Sequence, residues 1–155
     1  MANPKEWGPH VWKILHICSE KLGKNTTQIT QMDEIRAYNT FIYKLLYVLP
    51  CNTCKEHYNK YIMKYRKDVP YNELKKYGRN FYYNLHEDVN RRNNSTSFPY
   101  ESLSIYESVS KKELNEIIKE FVQLFNKYII YHYINTKALN EFMLSIRMLR
   151  IIIGF

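Results

Sequence analysis

The chain has 155 residues, a hydrophobic fraction of 45%, an aromatic fraction of 15% that includes 15 Tyr, and a formal net charge of +8. That is enough chain for one ordinary domain with a real core, and the aromatic content excludes a disordered segment. With only 4 Gly and 5 Pro, it lacks the punctuation an all-β fold needs for its turns, so long helices are the expectation.

The excess of 23 Lys+Arg over 15 Asp+Glu invites a nucleic-acid reading, but the basic residues are scattered. They are densest only from Lys55 to Lys67 and at Arg91-Arg92. A solvated basic surface accounts for them, and no nucleic-acid partner is expected. Three cysteines cannot make a disulfide framework, and no apolar leader follows Met1. The Ile151-Ile152-Ile153 tail is too short to span a bilayer. The expectation is therefore a chain on the cytosolic side, with no membrane span and no structural disulfide set.

In chain order, Trp7-Gly8-Pro9 punctuates the start. Pro9 suits the first turn of a helix to about Leu22, with Val11, Trp12, Leu15, Cys18 and Leu22 as its apolar stripe. His16 lies four residues after Trp12 and next to it on that helix surface. Gly23 to Thr30 reads as a polar connection. From Gln31 to Leu49 the positions Met32, Ile35, Tyr38, Phe41, Ile42, Leu45, Leu46 and Leu49 repeat with helical period until Pro50 stops the run.

Cys51-Asn52-Thr53-Cys54 follows at once, before a helix predicted over 52–65 that turns Tyr58, Tyr61 and Ile62 inward. A helix N-terminus stabilises a thiolate through its unpaired N–H groups and dipole. In a reducing compartment a C-x-x-C disulfide is more often catalytic than structural. The spacing leaves a second reading open, in which Cys51, Cys54, His57 and His86 form a zinc site that stabilises a helical binding module.

Asp68-Val69-Pro70 breaks the chain, and a fourth helix follows from about Tyr71 or Asn72 to Arg92. It places His86 and Asn90 on one face with Phe81 and Val89 nearby. An imidazole and a carboxamide set this way can stack on a planar ligand and bond its edge. Asn93 to Pro99 is a polar loop expected to be mobile. Beyond Ser108, Leu114 to Ile129 describe an amphipathic helix, and Asn135-Thr136 caps another carrying Leu139, Phe142, Met143, Ile146 and Leu149. This last third carries no evident chemistry.

Three motifs, in order, carry a resemblance over about residues 5–106. They are Trp7-Gly8-Pro9-x-x-Trp12-x-x-Leu15-His16, Leu49-Pro50-Cys51-x-x-Cys54-x-x-x-Tyr58 and His86-x-x-Val89-Asn90. Together they resemble the FAD-linked sulfhydryl oxidases of the Erv/ALR type, most of all those of large cytoplasmic DNA viruses. The resemblance implies an all-α fold: a four-helix bundle plus a short fifth helix that binds FAD, usually as a homodimer. It divides the chain into a core, 1–107, and a helical C-terminal extension, 108–155.

It also implies roles. Gly8, Trp12, His16, Tyr58, His86, Val89 and Asn90 should surround the FAD, and Tyr106 stands where the family carries an aromatic on the fifth helix. Cys51 would accept electrons from protein dithiol substrates, and Cys54 would face the flavin, with molecular oxygen as acceptor and hydrogen peroxide as product. The implied location is the host cytoplasm, a virus factory or a virion.

The sequence departs from the family pattern in places. The His-Asn pair of the fourth helix reads His86-Glu87, the upstream Trp is Phe81, and the Lys expected after Val-Asn is replaced by Arg91-Arg92-Asn93-Asn94-Ser95. Pyrophosphate neutralisation then falls to Arg91 or Arg92. The shuttle cysteine pair of cellular relatives is missing, and Cys18 reads as a small buried hydrophobe.

Overall fold

The computed structural model describes all 155 residues. Local capping sets the helix starts. Asn3 accepts the Lys5 N–H at 3.0 Å, and Pro4 occupies the first turn, where its missing N–H costs nothing. Helix α1 therefore runs Pro4–Glu20. Sequence reading places that start at Pro9, but Pro9 lies inside the helix, where it removes one backbone donor.

Helix α2, Gln28–Val48, is capped by Thr27 and begins earlier than Gln31. It ends because Leu49, ahead of Pro50, turns extended at φ −62°, ψ 123°, the conformation a following proline enforces. Helix α3 is Asn52–Tyr65 and has Cys51 as its N-cap. A 3-10 turn, Tyr71–Glu73, leads into α4, Leu74–Arg92. A second 3-10 segment, Tyr100–Tyr106, stands where the short fifth helix is expected. Ser110 caps α5, Lys111–Ile130. Asn135 caps α6, Thr136–Ile153, which ends in Gly154 at φ 71°. That left-handed conformation suits glycine at a helix terminus. There is no strand, and the architecture is an all-α bundle.

One apolar core runs through the molecule. Its centre is aromatic: Tyr38, Tyr82, Phe41, Phe121, Phe125 and Phe142 are all under 2% exposed. Phe41 on α2 stacks on Phe142 of α6 at 5.7 Å, and Phe142 meets Phe121 of α5 edge-on at 5.8 Å. Helix α1 lies between α4 and α5, and α6 covers α2. Burying each such ring contributes roughly 1.5–3 kcal/mol, so the C-terminal hairpin is part of the core.

Close approach is built in at Gly78, where a Cβ would meet Leu22 Cδ1 at 2.7 Å and the Tyr38 hydroxyl at 2.9 Å. The hydrophobic period errs at two positions of α2: Met32 is exposed, while Glu34 is fully buried. Glu34 is there because its carboxylate accepts from the Gly23 N–H at 3.0 Å and closes the α1–α2 connection. No helix is long and apolar enough to cross a membrane.

Candidate redox site

Cys51 and Cys54 form a disulfide with their Cα atoms 5.2 Å apart. The α2 stop at Pro50 and the α3 start at Asn52 put this bridge in the corner between two helices. Cys51 Sγ accepts the Cys54 N–H at 3.3 Å and lies 3.2 Å from the Thr53 hydroxyl. The bridge therefore sits among the free N–H groups of α3, where a thiolate released by reduction is stabilised. Cys51 is 3% exposed and Cys54 is half-buried. The start of the chain lies against this corner: Ala2, itself buried, donates its N–H to Pro50 O at 3.4 Å.

A wall of aromatic rings gathers residues from α1, α4 and the second 3-10 segment. Trp12 and His86 stack with centroids 4.0 Å apart and planes 7° off parallel. His16 stacks against His86 at 5.2 Å and against Tyr106 at 5.1 Å. His16 Nε2 and His86 Nδ1 share a hydrogen bond of 3.0 Å. Burial, aided by the neighbouring His86, pushes His16 down to about 3. Burial likewise lowers His86 to about 4, against a small opposing pull from Glu87. Both rings are neutral at physiological pH, which leaves flat, uncharged faces suited to stacking.

The aromatic wall and the cysteine corner are tied together by His57 and Asp88. His57 Nε2 donates to Asp88 Oδ2 at 2.7 Å, which joins the first turns of α3 to the part of α4 that carries His86, Val89 and Asn90. Val89 packs on the core, and Asn90 donates to Glu87 Oε1 at 3.3 Å. Arg91 and Arg92 project into solvent with Asp88 at 3.9 and 3.4 Å. Gly8 is buried beside Trp12, yet a Cβ there would make only ordinary 4.0 Å contacts with the indole. Nothing within the protein itself demands glycine at that position.

Of the other positions, some follow the sequence reading, as buried Cys18 does, and some depart from it. Tyr58 is buried, and its hydroxyl donates to Ile42 O at 2.7 Å and lies 3.1 Å from the Tyr82 hydroxyl. Any cofactor contact from Tyr58 is thus limited to its ring. Phe81 packs inside, edge-on to Tyr82 at 5.1 Å. Cys18 is free and buried, and burial raises its thiol to about 12. The 93–99 loop is anchored, since Glu87 accepts from the Phe98 N–H at 2.9 Å and from the Ser97 hydroxyl, and Tyr83 donates to Phe98 O. The zinc set does not assemble: the cysteines are joined to each other, His57 is on Asp88, His86 is on His16, and no group of three or more candidate ligands converges.

Helices, a cysteine pair at a helix N-terminus and a neutral aromatic wall define a helical disulfide-handling protein. A family model described as the Erv1/Alr family matches residues 9–113. A protein of invertebrate iridescent virus 6, provisionally named FAD-linked sulfhydryl oxidase 347L, is 28% identical over 115 residues, 72% of this chain and 94% of the relative. No solved structure matches. The chain belongs to the Erv1/Alr family. It is a sulfhydryl oxidase, and its cofactor is FAD.

The residues present fit that cofactor in their chemistry. Two neutral imidazoles, an indole and a phenol stand nearly parallel, which is what an adenine or isoalloxazine ring needs for stacking. Trp12, His86 and Tyr106 are each only partly buried, so the wall has faces open to a ligand. Trp12 and His86 are in stacking contact with no ring-sized gap between them.

Proposed function

We propose that this protein oxidises dithiols of protein substrates to disulfides through Cys51–Cys54. The observation that carries this reading is the Cys51–Cys54 bridge at the N-terminus of α3, joined through His57 and Asp88 to the helix that bears His86. Trp12, His16, His86 and Tyr106 would stack on the FAD rings, with Gly8, Val89 and the Tyr58 ring beside them. Asn90 would bond a ring edge, and Arg91 would neutralise the pyrophosphate. Bound FAD supplies a two-electron acceptor that returns to its oxidised form by passing electrons to molecular oxygen, giving hydrogen peroxide.

The protein's own steps are thiol–disulfide exchange. A substrate thiolate attacks the Cys51 sulfur, a mixed disulfide forms, and Cys54 leaves as a thiolate. Its departure is eased by the α3 N-terminus, which lowers a thiol pKa. A second substrate thiol resolves the mixed disulfide and leaves Cys51 reduced. Since Cys51 is covered, substrate must displace the cover, and the Ala2 contact, held by one long hydrogen bond, is the part that yields most easily.

In this reading residues 1–107 form the oxidase core, and 108–155 form an extension stapled across α1 and α2. The assembly is a homodimer, as the resemblance implies. Because α5 covers α1 and α6 covers α2, its interface would use other surfaces. A viral source and a place in the host cytoplasm are supported by the iridescent-virus relative. The test is oxygen uptake with peroxide detection on a reduced protein substrate. One peroxide per disulfide formed is expected, and a Cys54→Ser protein that still turned over dithiothreitol with oxygen uptake would contradict the scheme.

A further inference from the structure

We propose that His57, oriented by Asp88, takes up the proton released when the Cys51–Cys54 bridge is opened, holding Cys54 as the thiolate of a thiolate–imidazolium pair. The proposal rests on the thiol-exchange reading above and adds a proton acceptor to it. His57 lies three residues after Cys54 on α3, and residues so spaced are neighbours on one helix face, about 5–6 Å apart at Cβ. The ring is largely buried, at 16% exposure, and its Nε2–H is committed to Asp88 Oδ2 at 2.7 Å. That commitment fixes the tautomer and leaves Nδ1 as the free base.

His57 and Asp88 supply the base and the orienting carboxylate of the arrangement that activates cysteines on unrelated folds; with the bridge closed, the ring makes no hydrogen bond to Cys54, and the pair forms when Cys54 is released. The charged residues next to the pair along α3 are Lys55, Glu56 and Lys60, and from α4 Asp88 faces His57 with Arg91 and Arg92 behind it at 3.9 and 3.4 Å.

The balance of the step is simple. A substrate thiol R–SH and the bridge give R–S–S–Cys51, the Cys54 thiolate and one proton, which goes to His57 Nδ1. The Cys51–Cys54 bond breaks, and its electron pair stays on Cys54 sulfur. A second thiol then forms the substrate disulfide and leaves Cys51 reduced. The bridge has gained two electrons and the substrate has lost two.

The test reads Cys54 directly. In a Cys51→Ser protein, Cys54 is the one thiol a reagent can reach, because Cys18 is 0% exposed. Iodoacetamide alkylation measured against pH gives its apparent pKa. Cys51→Ser should titrate well below the ordinary thiol value of about 8.5. Adding His57→Gln should move that pKa up roughly one unit and so slow alkylation at pH 7 about three- to fivefold, while the helix N-terminus retains the remainder.

Asp88→Asn in the same background should move it part of the way. A profile unchanged by His57→Gln would overturn the proposal. If that variant does not hold its helical circular dichroism, Asp88→Asn decides, and its unchanged profile overturns the proposal equally. A clamp that only joined α3 to α4 would lower the melting temperature and leave the alkylation profile alone. The readout needs no turnover, so failure of the flavin reading would show separately, as a colourless protein.

Discussion

His16 Nε2 and His86 Nδ1 lie 3.0 Å apart although 70 positions separate them in the chain. Only one of the two nitrogens carries a proton at any moment, so the pair works as a neutral donor and acceptor. Folding here excludes charge from the centre of the aromatic wall.

A pH dependence follows. An unfolded His titrates near ~6.5, whereas burial holds folded His16 at about 3 and His86 at about 4. Below about pH 6.5 the unfolded chain takes up protons that the native chain refuses, so stability is full above that value and falls toward pH 4. The slope is up to about 1.4 kcal/mol per pH unit for buried His16 and less for the more exposed His86. Urea unfolding at pH 7 and pH 5 should show this loss, and His16→Gln should flatten it.

Trp12→Ala removes the indole that stacks on His86 at 4.0 Å. One aromatic stack contributes about 0.5–1.5 kcal/mol beyond area burial, or roughly 2- to 12-fold in affinity. FAD titration of the stripped protein should show weakening of at least that size, while the Cys51–Cys54 bridge still forms on air oxidation. Unchanged affinity would remove Trp12 from the cofactor site.

Phe142 is 1% exposed and lies beyond the segment matched by the family model. Its contacts with Phe41 and Phe121 make Phe142→Ala cost about 3–5 kcal/mol, measured by denaturant midpoint. Removing residues 108–155 would uncover Phe41 and the outer side of α1, so the shortened chain should aggregate or self-associate in sedimentation. A monodisperse shortened chain of unchanged stability would contradict an integral hairpin.

Glu87 stands where the family carries Asn, and its carboxylate anchors the loop through Ser97 and Phe98. Burial works to raise its pKa, but hydrogen bonds from Ser97, Phe98 and Asn90 prevail and hold it below the ordinary value. The anchor is thus present above the unfolded carboxylate value and is lost as pH falls through the lower folded one. Glu87→Gln should leave the helical content intact and make limited proteolysis within 93–97 several-fold faster.

Much of this was legible in the chain. Apolar period placed all six helices, and Pro50 before Cys51 located the cysteine corner, because both signals are local. The start of α1 was misread because Pro9 offers the same first-turn signal as Pro4, and only the Asn3 cap separates them. Glu34 could not be foreseen inside, since its burial depends on a backbone donor at Gly23. The loop looked free because its anchor, Glu87, lies on another element. The same holds for Asp88, which reads as a polar helix residue until α3 and α4 meet, whereas His57 stands out in the chain only as a zinc candidate. Tyr58 matches the motif position, yet its hydroxyl is used inside the bundle.

The central claim is that a sulfur pair passes electrons to a flavin held by this aromatic wall, and the visible spectrum of the purified protein under anaerobic conditions tests it most directly. The account predicts a yellow protein whose flavin band bleaches when a dithiol is added and returns on admission of oxygen, with bleaching abolished in Cys54→Ser. A colourless protein, or a flavin that bleaches equally fast in Cys54→Ser, would contradict it.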